Sequence, residues 1–226
     1  MSFVIPQPAQ PSLPTTTSGD RFPVRRIFCV GRNYAEHAVE MGHDPSAEPP
    51  FYFTKPGDAL VESGAAIPYP PATGNFHHEA ELVVALAMGG TNLAEAAALA
   101  CVWGYATGND LTRRDLQAGA KAARRPWDMA KGFDGSAVVG LIHPAADLPT
   151  DAAIRCLVDG RLAQSARLSD MIWPVPAIIA HLSRLVTLAP GDLIFTGTPA
   201  GVGPLVRGQT CTVEITGLTA ATITII

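Results

Sequence analysis

The segment HHEAELVVAL, residues 77–86, decides the fold. After its two histidines, acidic and apolar residues alternate and then give way to a continuous apolar run, the pattern of a strand entering a core. Strand side chains two apart share a face, so Glu79 and Glu81 project together. Asp110 follows 29 positions after Glu81 (110 − 81 = 29), in GYATGNDLTRRD, residues 104–115. Neighbouring carboxylates at a core entrance repel each other and lose water, so they require a cation or a proton. An oxygen-only set without cysteine suits Mg2+, Mn2+ or Ca2+ better than zinc or copper. The competing reading is an exposed strand face, with both glutamates in water and Asp110 capping a turn.

Upstream, residues 1–23 carry Pro6, Pro8, Pro11, Pro14 and Pro23, which forbid a helix. They read as an extended arm or short edge strand, or equally as a poorly ordered tail, ahead of a domain covering residues 24–226. RRIFCVG, residues 25–31, is a strand ending at Gly31, and RNYAEHAVEMG, residues 32–42, is a short helix closed by Gly42. FYFTKPGDAL, residues 51–60, is strand-like and broken by Pro56 and Gly57. Downstream, residues 92–102 give the clearest helix, with Asn92 as its cap, and the chain returns as a strand towards Asp110. A weaker helix covers residues 115–124, and a loop then a strand cover 125–140. Residues 153–168 form a hairpin turning at Asp159 and Gly160. A second good helix spans 175–188 with Pro176 near its start, and a strand, a Gly-rich turn and two closing strands complete the chain. Many short strands, two or three helices and no βαβ rhythm predict an α+β fold of largely antiparallel sheets.

At 226 residues and 47% hydrophobic, the chain supports a substantial core. Its formal net charge is −4 and its 16 basic residues are dispersed, which argues against a nucleic-acid surface. Cys29, Cys101, Cys156 and Cys211 are far apart and form no C-x-x-C, as expected of buried reduced thiols in a cytoplasmic protein. There is no signal-peptide pattern at the start, and no apolar run approaches the roughly 20 residues of a membrane span, so no membrane partner is expected.

Other residues carry chemistry only in company. His37 and Glu40 stand three apart, so a helix lets the carboxylate orient the imidazole as a base; a solvated helix surface is the alternative. His77 and His78 are either partners of a ligating carboxylate or solvent-facing loop residues. Lys131, in DMAKGFDGS, is a candidate for an anionic substrate or a polarised carbonyl, against a surface lysine beside a turn. TGTPAGVG, residues 196–203, offers backbone N–H groups and the Thr198 hydroxyl to an anion, or is a tight structural turn. It is neither a P-loop nor a dinucleotide fingerprint. Trp103, Trp127 and Trp173 are assigned to the core.

In chain order, CVGRNYAEHAVEMG, PPFYFTKPGDAL, HHEAELVVAL, GYATGNDLTRRDLQ, RPWDMAKGFDGS and PGDLIFTGTPAGVGP resemble the fumarylacetoacetate hydrolase family. The resemblance covers about residues 27–204. It implies a β-rich α+β fold of mixed, largely antiparallel sheets rolled around a metal site with a few outer helices, assembled as a homodimer. It implies that Glu79, Glu81 and Asp110 hold Mg2+ or Mn2+, with Ca2+ as a substitute. It makes His37 and Glu40 the water-activating pair, puts Lys131 and Gln117 on the substrate, and gives Arg32, Arg114 and Thr198 to substrate carboxylates. YPPATGNFHHEAEL and RRPWDMAKGFDGSA are most similar to the fumarylpyruvate hydrolases of bacterial aromatic-acid (gentisate) degradation. The expected substrate is a small dicarboxylic oxo acid: 3-fumarylpyruvate, cleaved by water to fumarate and pyruvate. The same family includes oxaloacetate decarboxylases and hydroxydienedioate isomerases, and a non-catalytic metal-binding module is the reading from another class.

Overall fold

The structure is a computed structural model that describes residues 3–40, 49–148 and 151–226. Gly42, the expected end of the first helix, lies outside the described residues. The extended N-terminal stretch carries two short strands, β1 (Ser12–Pro14) and β2 (Arg21–Pro23), which pair antiparallel. Leu13 and Phe22 from this hairpin are buried in the core.

The chain continues through β3 (Arg26–Val30), α1 (Ala35–Glu40), β4 (Tyr52–Lys55), β5 (Leu60–Glu62), β6 (Ala66–Ile67), β7 (Phe76–His78) and β8 (Ala80–Leu86). Next come α2 (Glu95–Ala98), β9 (Val102–Asp110), β10 (Thr112–Arg113), α3 (Arg114–Ala122) and α4 (Asp128–Lys131). Strands β11 (Ala137–Val139), β12 (His143–Pro144), β13 (Ala153–Val158) and β14 (Arg161–Arg167) lead to α5 (Val175–Leu185). The chain closes with β15 (Asp192–Phe195), β16 (Gly203–Pro204), β17 (Thr210–Ile215) and β18 (Ala221–Ile225).

The main sheet runs β4-β3-β15-β8-β9-β11-β5, with β12 also on β9, and is antiparallel except at β3–β15 and β5–β11. A five-stranded sheet, β14-β13-β17-β18-β6, and a small one, β10-β7-β16, complete the mixed β-rich fold expected from the sequence. Both faces of β8 are covered. Leu82, Val84 and Leu86 join one core cluster, while Val83 and Ala85 join the other. Double-sided burial explains why the apolar run in 82–86 is continuous rather than alternating.

The helix expected over 92–102 is the main departure. Only Glu95–Ala98 is α-helical, followed by one 3-10 turn at Leu99–Cys101. Asn92 is not the cap: its φ is +51°, and Ala94 takes that position without a side-chain bond. Backbone donors explain the shortening. Asn92 N–H donates to Ser183 O at 2.9 Å and Leu93 N–H to Ser183 Oγ at 2.8 Å, so this stretch is docked on α5. From Val102 onward, pairing with β8 claims the chain. The 153–168 hairpin turns where expected, with positive φ at both Asp159 and Gly160. All four cysteines are free and buried, and no helix among the described residues is long and apolar enough to cross a membrane.

Candidate metal centre

Three structural decisions bring the carboxylates together. Glu79 lies between β7 and β8, Glu81 is the second residue of β8, and Asp110 ends β9. Register pairs Ala80 with Asn109 and Glu81 with Gly108, and Asp110 N–H donates to Glu79 O at 2.9 Å. One oxygen from each of Glu79, Glu81 and Asp110 lies within 4.8 Å of the others, and all three residues are buried. Exposed acids on an edge strand are therefore excluded. The group is an inward-facing, oxygen-only set that fits Mg2+ or Mn2+.

Burial of so much negative charge is matched by fixed cations. Lys131 Nζ donates to Glu79 Oε2 and to Asp110 Oδ2, each at 2.7 Å. Arg114 donates to Glu79 Oε1. Lys55, whose side chain is wholly buried, places Nζ 2.7 Å from Asp110 Oδ1. Asp110 Oδ1 nevertheless accepts no well-directed hydrogen bond, which leaves a lone pair for a cation.

The electrostatics divide the two glutamates. Burial would push the Glu79 carboxyl up, but Lys131 and Arg114 overcome it and hold Glu79 well below the usual carboxylate range. Glu81 is driven the other way: burial, then Asp110 and Glu79, raise it well above its ordinary value. Among the described residues, its one direct donor is Gly197 N–H, 2.7 Å from Oε2. For Lys131, burial lowers the ammonium's pKa, and Asp110 and Glu79 more than offset it, so the pKa lies above the ordinary value.

The TGTPAGVG turn proves to bind the protein's own acids. Gly197 has φ +95°, and a Cβ there would sit 2.7 Å from Asn33 Cβ, so glycine is required by both conformation and space. Gly201 N–H points at the Glu40 carboxylate, 3.3 Å from each oxygen. Glu40 Oε2 in turn lies 3.1 Å from His37 Nδ1, and His37 is buried. A carboxylate only accepts, so Nδ1 is the donor in this pair, and in the neutral imidazole Nε2 is the acceptor nitrogen. A solvated helix face is thus excluded for His37.

His37, Glu79, Arg114, Gln117, Lys131 and Arg32 line one cavity. Gln117 is buried and its Oε1 accepts from Arg114 at 2.7 Å. Arg32 stacks over the Phe51 ring at 4.8 Å. Thr198 is buried on the glycine-rich turn but does not line this cavity; its hydroxyl accepts from Gln164 Nε2 at 2.8 Å. Lys131 is no surface residue, since it is buried in α4 where the sequence suggested a loop.

The sequence reading missed Lys55, Gln164 and Lys121. Lys55 also donates to the carbonyls of Leu111, at 3.2 Å, Ser136, at 3.0 Å, and Lys131. Gln164 joins His78, Ala80 N–H, Thr198 and Pro199 O behind the acidic strand. His78 is consequently buried rather than solvent-facing. His77 is held by Asn75 at 2.7 Å and lowered to about 4, by burial first and then by Arg114. Trp127, assigned to the core from sequence, instead lines the cavity, and Lys121 sits over its ring. No sequence pattern announces Lys55 or Gln164. Lys121 shares a helix face with Arg114 and Gln117, which was a usable signal.

This β-rich fold carries a buried acidic set able to hold a metal ion, and comparison with known proteins places it in a family. The family described as fumarylacetoacetate (FAA) hydrolase C-terminal matches residues 26–226. The chain belongs to the fumarylacetoacetate hydrolase family. More particularly, it is 43% identical over 183 residues to the fumarylpyruvate hydrolase of Ralstonia sp, covering 80% of this chain and 95% of that protein. It is 41% identical over 195 residues to the mitochondrial oxaloacetate tautomerase FAHD1 of Arabidopsis thaliana, covering 85% and 87%. The crystal structure of fumarylpyruvate hydrolase from Pseudomonas aeruginosa in complex with Mn2+ and pyruvate superposes with a TM-score of 0.96 at 45% identity, covering 100% of this chain and 99% of that one.

Proposed function

We propose that the protein is an acylpyruvate hydrolase that cleaves a carbon–carbon bond of a 2,4-dioxo acid, with 3-fumarylpyruvate yielding fumarate and pyruvate. One observation carries this reading: His37, paired with Glu40 and so fit to deprotonate water, lines the same cavity as Glu79, Lys131 and Gln117. Glu79, Glu81 and Asp110 would hold Mg2+ or Mn2+. The bound ion supplies Lewis-acid polarisation to the 2-oxo acid and stabilises the negative charge that develops as the bond breaks.

The chain's own residues do the rest. His37 Nε2 takes a proton from water while Glu40 steadies the resulting imidazolium through Nδ1. The hydroxide adds to C4, and Lys131 with Gln117 stabilises the oxyanion there. The C3–C4 bond then breaks; C4 leaves as the carboxylic acid, which ionises to fumarate, while C3 takes the proton held on His37 and pyruvate is released. Arg32 and Arg114, which line the cavity, and Thr198, which does not, are assigned to the substrate's carboxylates. The reading includes action in the cytoplasm as a homodimer, within aromatic-acid breakdown.

The identity to an oxaloacetate tautomerase supports a second reading, in which the same ligands serve oxaloacetate without water attack. Assay of fumarylpyruvate, other acylpyruvates and oxaloacetate with Mg2+ or Mn2+, against an EDTA control, separates the two. Pyruvate release from fumarylpyruvate is expected. Turnover of oxaloacetate alone overturns the hydrolase assignment.

A further inference from the structure

The cavity beside the acidic cluster is also lined by a cation that the reaction above does not use, Lys121. Arg114, Gln117 and Lys121 are spaced i, i+3 and i+7 along α3 and line the same cavity. Arg114 grips the ligand Glu79, so this face leads outward from the metal centre, with Lys121 about 10 Å along the helix axis from Arg114. Lys121 is half-buried, its Nζ lies 4.9 Å from the Trp127 ring centre, and it has no carboxylate partner among the described residues. Burial, and then Arg114 and Arg32, lower its pKa.

The charge balance explains why an anion is wanted there. Glu79, Glu81 and Asp110 are already matched by Lys55, Lys131 and Arg114. Among the described residues, Glu79 is the one acid lining the cavity, and it is doubly engaged by Lys131 and Arg114. A half-buried ammonium stacked on an indole, with no ion-pair partner of its own among the described residues, is stabilised by an anion that enters.

We propose that Lys121 is a specificity-determining residue that binds the far carboxylate of a dicarboxylic oxo acid whose 2-oxo end lies at the metal centre. The inference rests on the acylpyruvate reading for the orientation of the ligand. It selects substrates ending in a carboxylate over acylpyruvates with a neutral tail.

The test uses the Mn2+-loaded full chain and two inert seven-carbon probes, 2-oxoheptanedioate and 2-oxoheptanoate, which differ only in the far carboxylate. By calorimetry, the parent should favour the dianion about tenfold or more, as a charge-assisted hydrogen bond warrants. Lys121→Met, which keeps the aliphatic stem on Trp127, should collapse that ratio towards one. Lys121→Gln should do the same, and Lys121→Arg should retain it. A ratio near one in the parent, or an unchanged ratio in both neutral variants, overturns the proposal; an equal loss for both probes counts as unchanged. Because neither probe is cleaved, these outcomes are independent of whether fumarylpyruvate is hydrolysed.

Discussion

Lys55→Met tests whether the buried cations are what make the acidic cluster tolerable. Lys55 is 2% exposed, and its ammonium is 2.7 Å from Asp110 Oδ1. Methionine fills similar volume and suits the Phe133 ring, 5.6 Å from Nζ, so the perturbation is electrostatic rather than a cavity. Two of the three carbonyls bound by Lys55 keep another donor. Ser136 Oγ donates to Lys131 O at 2.8 Å, and Leu111 N–H donates to Ser136 O at 3.0 Å. The cost therefore falls mainly on Asp110. Removing one partner of a buried ion pair typically costs about 3–5 kcal/mol; because Asp110 keeps Lys131, the lower end of that range applies. Against a total stability of about 5–15 kcal/mol, the variant still folds. At a urea slope of roughly 2 kcal/mol/M, the unfolding midpoint should drop by about 1.5 M. The measurement belongs in EDTA, where no metal ion can replace the lost charge. A loss below about 1 kcal/mol would refute the view that Lys55 is a structural counter-ion.

Three further outcomes follow from the site. Glu81→Gln should leave the fold intact yet weaken Mn2+ binding by more than the roughly 10–100-fold that losing an outer partner costs, read by calorimetry; near-parental affinity removes Glu81 from the ligand set. His37→Ala should still bind Mn2+ while kcat for fumarylpyruvate falls about 10²–10⁴-fold, and undiminished turnover would end its role as base. Gly197→Ala should cost at least about 1–3 kcal/mol in thermal or urea unfolding, because an L side chain at φ +95° is strained and meets Asn33; a neutral result would mean that the turn relaxes freely.

The sequence was most legible where a pattern is local. Alternation in HHEAELVVAL, the Asp159-Gly160 turn and the spacing of His37 and Glu40 all translate directly into geometry, since each depends on a few consecutive residues. The 92–102 helix failed because its Ala-rich propensity is weak beside the pairing of β9 with β8 and the docking on Ser183. Lys55 was hidden because its partners come from residues 110–136, and a lysine ahead of a proline reads as surface until those carbonyls surround it. Gln164 was hidden for a similar reason, sitting mid-hairpin and serving groups on β7, β8 and the glycine-rich turn.

Lys131 bridging Glu79 and Asp110 also bears on how the protein meets its metal. A cluster already neutralised by ammonium and guanidinium groups needs no ion to complete the fold, unlike a zinc finger. A divalent ion can therefore enter after the chain has folded.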